Sequence, residues 1–253
     1  MTSTTTTGRP RSSRTGRRRS WRRPVAWAAL AALAVVVVLA LLRPSAPAPG
    51  GRTAAAGVAD VLGTRPQDTV VTFEGEPVTG AEVLRAAQAV RAEVISEFAG
   101  QGLGPGFWER AVNGVTPGQR LRERAVRAAV LDKARRIWAR EAGLLADVSE
   151  RGFQRELAAE NERRAQAARA GRPIPGVPSY DEYTYAQVRA AELDSALSKL
   201  HASRLDLSEP RLREQYARTA GPGAPPFDQV RENVRRLLIL EGYEQALQAR
   251  ASS

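Results

Sequence analysis

The sequence predicts a mostly α-helical domain that opens on one short strand, closes on a helix packing back, and follows a single transmembrane helix. Two threonine-led capping boxes precede apolar residues at helical spacing. Only one short run is β-prone. A charge-free apolar stretch of nineteen residues lies near the N-terminus.

The N-terminal segments come first. Nine of the 38 basic residues, all arginines, fall within residues 1–43, which hold no acid, and the remainder nearly balances the 27 acids. Residues 1–23 read as a disordered, basic cytoplasmic tail. The run PVAWAALAALAVVVVLALL, residues 24–42, is about 28 Å long as a helix and matches the hydrocarbon core. It exceeds the usual apolar core of a signal peptide, so it is read as a signal-anchor. Cleavage at Ala46-Pro47-Ala48 is the alternative. RRSWRR, residues 18–23, only faintly resembles a twin-arginine signal. The arginine-rich side is placed in the cytoplasm by the positive-inside rule, which puts the C-terminal domain in an extracytoplasmic location at the cell membrane. Trp21 and Trp27 sit where indoles favour the interface.

Residues 43–66, rich in Pro, Ala and Gly, read as a linker. A folded domain is expected over residues 67–253. In DTVVTFEGEPVTGAEVLRAAQAV, Val70, Val71 and Phe73 form the strand, and Gly75 and Pro77 suit a turn. Thr79 and Glu82 then have capping-box spacing. The strand needs a short partner or an edge to clip to, because one strand supplies no core. Thr116 and Gln119 form a second capping box with Pro117 at N1, opening a long helix that Gly143 stops. Ser149 caps a polar helix to about Ala170, with Phe153 and Leu157 as its few large apolar residues. GRPIPGVPSY, residues 171–180, breaks it. Ala186, Leu193, Leu197 and Leu200 form one stripe of the next helix, near residues 181–203. A short helix starts at Ser208-Glu209-Pro210, and a closing helix starts at Phe227.

These motifs, in this order, resemble SurA- and PrsA-type extracytoplasmic chaperones over roughly residues 68–253. VVTFEGEPVTGAEV is similar to their opening strand, turn and first helix, with Glu74-Gly75 in place of Asn-Gly. LSEPRLREQY, residues 207–216, and FDQVRENVRRLLILEGYEQAL, residues 227–247, are similar to their last two helices. Relatives place a parvulin prolyl isomerase domain between those helices. Here residues 217–226 intervene, too few for a domain. The resemblance therefore implies a chaperone-like bacterial protein, related to peptidyl-prolyl isomerases, that binds unfolded or translocated polypeptides without isomerase catalysis.

The residue types agree. Parvulin sites use histidines, and His201 is the only one; its place late in a helix suits packing or a C-terminal turn. No two-histidine metal motif, G-x-S-x-G or phosphate loop occurs, and there is no cysteine. Asp181/Glu182 and Glu160/Glu162 read as solvated faces. The expectation is no catalysis, no cofactor, no metal and no nucleic-acid partner. Phe107, Trp108, Trp138, Tyr183, Tyr185, Phe227 and Leu237 are the candidate peptide-binding residues, because aromatic and apolar side chains give large contact area. Each also suits a place in the core. A dedicated assembly partner of one membrane or secreted protein is the second reading.

Overall fold

A computed structural model describes Met1, residues 51–103 and residues 106–253. The expected tail from residue 2, the expected anchor at residues 24–42 and residues 43–50 of the expected linker lie outside the described residues. No helix among the described residues is long and apolar enough to cross a membrane.

The helical reading holds. Seven α-helices and a two-stranded sheet are present among the described residues: α1 (Gly51–Leu62), β1 (Thr69–Phe73), β2 (Glu76–Thr79), α2 (Gly80–Glu97), α3 (Pro117–Glu141), α4 (Glu150–Arg169), α5 (Glu182–Ala202), α6 (Glu209–Thr219) and α7 (Phe227–Ala251).

The linker reading needs correction at its C-terminal half. α1 is helical within residues expected to be a spacer, and Val58 and Leu62 are buried in the first core. Arg122 of α3 donates to the Leu62 carbonyl, tying down the helix end. Ala and Gly dominate this stretch, so its composition reads as a linker, yet Val58, Val61 and Leu62 share one helical face.

The strand has a partner that includes Pro77, which the sequence placed in the turn. β1 and β2 pair antiparallel, with Thr72 opposite Pro77 and Phe73 opposite Glu76. Glu74 and Gly75 make the turn, with φ of 48° and 79°, the left-handed pair that a two-residue hairpin demands. In a two-stranded sheet every strand is an edge, so Pro77 leaves no required donor missing. Val78 beside it is fully buried.

Both capping boxes form as spaced. Thr79 and Glu82 open α2, and Thr116 and Gln119 open α3, with Pro117 in its first turn. α2 and α3 bury Val83, Ala87, Val94, Leu121, Ala125 and Ala129 together in the first core. α3 is the spine. Its second half turns Ala134, Ile137 and Ala139 into a second core with Leu193 and Leu197 of α5 and Tyr243 and Leu247 of α7. Gly143 follows α3 with φ of 72°, a stop that glycine allows at little cost.

α4 keeps its apolar residues in a small separate cluster of Phe153, Leu157 and Tyr185. Two guanidiniums lie over the Phe153 ring, Arg85 at 4.0 Å and Arg136 at 5.7 Å, and Arg85 pairs with Glu150 at 2.6 Å. The proline-rich break is pinned rather than free. The buried Arg164 donates to the carbonyls of Pro175 and Val177, and Asn161 bonds both the N–H and C=O of Tyr180. On α5, Leu200 leaves the expected buried stripe and is 51% exposed. α6 and the first half of α7 share a third core, Leu212, Phe227, Val230, Val234 and Leu238.

A candidate groove between α3, α5 and α7

The three helices of the second core run side by side and leave two openings. The larger, of about 910 Å³, is floored by Leu131 of α3 and by Tyr243 and Leu247 of α7, with Leu240 on its rim. Leu240 is 48% exposed. Ser195 and Ser198 of α5 line the opposite wall, and Asp194, Glu241, Glu244 and Arg135 supply the charge.

A polar network stiffens the floor. Tyr243 donates its hydroxyl to Asp194. Arg135 donates through Nε to Asp194 at 2.6 Å and through Nη1 to Asp132 at 2.7 Å. Burial, and then the bond to the Asp194 carboxylate, push the Tyr243 phenol well above its ordinary range, so it remains a neutral donor. Burial opposes the charge on Arg135, but Asp132 and Asp194 outweigh it and its pKa is raised. Each member of the floor network has a hydrogen-bond partner, which keeps partly buried polar groups from costing stability.

The smaller cleft, about 620 Å³, opens where α3, α5 and α7 end. It is lined by Trp138, Leu200, His201, Ala246 and Arg250. Trp138 meets His201 edge-on at 5.7 Å and lies 5.5 Å from Tyr243. His201 Nδ1 is buried with no hydrogen-bond partner among the described residues. Arg250 closes the far wall, bonding Glu74 and Glu141 at 2.6 Å each. Its hydrogen bond holds the Glu141 carboxyl below the usual range.

The seven candidate residues do not converge. Phe107 and Trp108 pack edge-on at 5.0 Å in the first core, with Arg91 over the indole. Trp138 is half-buried in the smaller cleft. Tyr185 is buried against Phe153 at 5.4 Å, and Tyr183 is half-buried on the first turn of α5. Burial raises the Tyr185 phenol to about 12. Phe227 belongs to the third core beside Tyr216. Leu237 is half-buried, and Leu240, three residues on, lines the groove instead.

Leu240 was missed, although a signal existed. Leu237, Leu238, Ile239 and Leu240 are consecutive, and a helix that packs on one side cannot bury four successive positions. The acidic pairs have structural roles. Asp181 caps α5, Glu182 pairs with Arg85, and Glu160 and Glu162 accept from Arg163 and Arg169. No cluster of three or more metal-ligating side chains occurs among the described residues.

Comparison with family models, with curated proteins and with solved structures finds no match to this chain.

Proposed function

We propose that this chain is a membrane-anchored, extracytoplasmic, SurA/PrsA-like chaperone that binds unfolded or translocated polypeptides without covalent chemistry. The observation that carries this reading is the groove of about 910 Å³ with an apolar floor and a half-exposed leucine on its rim. Apolar surface held open between helices gains free energy when an apolar chain segment covers it. The serine hydroxyls and carboxylates around the floor offer bonding partners to a client's backbone. The order of motifs along the chain supports the same reading. Only residues 220–226 separate α6 from α7, so the position that holds an isomerase in the resembling proteins is a short loop here.

The test is aggregation of a chemically unfolded secreted protein, followed by light scattering. A near-stoichiometric amount of residues 43–253, which retain α1, should suppress it. A folded domain that leaves scattering unchanged, yet co-purifies with one defined protein, would replace this reading with the dedicated assembly partner.

A further inference from the structure

We infer that the groove between α3, α5 and α7 selects basic apolar segments, in which lysine or arginine flanks aliphatic side chains. This rests on the polypeptide-binding reading and names the client class. Asp194, Glu241 and Glu244 line the groove, against Arg135 as the one lining cation among the described residues. Arg135 is already committed, with 13% of its side chain exposed and bonds to Asp132 and Asp194. Asp194 is in turn occupied by Arg135 and Tyr243.

The two glutamates differ. Glu241 accepts one bond, from Gln215 Nε2 at 2.7 Å, through Oε2. Its Oε1 has no partner among the described residues. Glu244 is exposed and has no ion pair or hydrogen bond among the described residues. The pair is three residues apart on α7, so the carboxylates neighbour each other beside Leu240. Arg236, one turn before Leu240, donates to Asn233 and lies outside the lining, as does Lys199.

The rim therefore presents two available carboxylates next to an uncovered leucine, with no available lining cation among the described residues. A client with aliphatic groups covers Leu240 and the half-buried Leu131, and its ammonium or guanidinium groups meet Glu241 and Glu244 in charge-assisted bonds. An acidic client meets two like charges at the same rim, a repulsion that discriminates between clients.

The experiment uses the full-length chain in nanodiscs of neutral lipid. Labelled leucine-containing peptides of one length carry lysine, serine or glutamate at the polar positions, and binding is read by fluorescence anisotropy. The lysine peptide should bind at least about 10-fold tighter than the glutamate peptide, and salt should shrink the gap. Glu241→Gln with Glu244→Gln keeps the acceptor for Gln215 and should bring the three peptides within about 3-fold of each other. Equal affinities in the unaltered protein, or a preference that survives the double substitution, overturns the inference. If the three peptides bind equally and Leu240→Asp weakens all of them, polypeptide binding stands and the charge selection fails. If none binds, both fail.

Discussion

Lys133 is 1% exposed, and its ammonium contacts Glu82 Oε1 at 2.7 Å and the Val148 carbonyl at 3.1 Å. The other oxygen of Glu82 accepts the Thr79 N–H at 2.7 Å, completing the capping box. One carboxylate thus caps α2, neutralises a cation on α3 and holds the hairpin exit against the spine. Glu82→Gln leaves an uncompensated ammonium inside the fold, and breaking one side of a buried pair costs about 3–5 kcal/mol. Lys133→Met added to Glu82→Gln should recover much of that loss, because no buried charge then remains. Urea unfolding of the two single variants and the double variant measures the coupling. Additive losses would show that the two charges do not depend on each other. The capping half of this arrangement was legible from the T-x-x-E spacing. The ion pair was not, because helical periodicity places Lys133 on a face without saying that α2 covers it. Glu74 has a similar double role. It takes a left-handed turn position that suits Asn better, and its carboxylate bonds Arg250 near the far end of the chain.

At the scale of elements, the starts of α2, α3 and α4 and the stops of α3 and α4 were readable because each cap is local. A threonine or serine, a fixed spacing and, after α3 and α4, a glycine set the boundary without any distant contact, whereas the Asp181 cap of α5 passed as part of a solvated acidic pair. What depends on distant contact was not readable. Pro77 belongs to a strand only because Thr72 lies opposite it. α1 counts as part of the domain only because the first core accepts Val58 and Leu62. Its place there makes a chain starting at residue 67 an incomplete fold. Leu62→Ala should cost about 2–5 kcal/mol, the range for truncating a fully buried leucine. A chain starting at residue 67 should melt lower than one starting at residue 43. Thermal unfolding by circular dichroism decides this, and equal melting temperatures for the two chains would mean that α1 packs without stabilising the core.

Among the described residues, two apolar cores are joined along α3, a third lies between α6 and α7 and a small cluster between α4 and α5, and the candidate aromatic side chains are spread among them rather than gathered on one binding surface. The sequence shows that Phe227 and Leu237 are apolar and periodic, which is equally true of a core face and a binding face. Only assembly of α3, α5 and α7 distinguishes them, and it hands the exposed role to Leu240. This separation predicts two different failures. Phe227→Asp puts a charge into the third core, where Phe227 packs with Leu212, Val230 and Tyr216. It should lower stability by several kcal/mol and loosen the α6–α7 end, since the ring's packing is lost and only Arg213, whose guanidinium lies 4.4 Å over the Phe227 ring, is at hand to offset the carboxylate's desolvation. Leu240→Asp sits on an open rim, so stability should change by no more than about 0.5 kcal/mol. Suppression of aggregation should nonetheless fall, because the variant replaces the apolar rim with a third unpaired carboxylate beside Glu241 and Glu244. Measuring the unfolding free energy and the light-scattering assay on the same two preparations separates the effects. A Leu240→Asp variant that is fully stable and still suppresses aggregation would move client binding away from this groove, and Trp138 with Leu200 in the smaller cleft would be the next surface to alter.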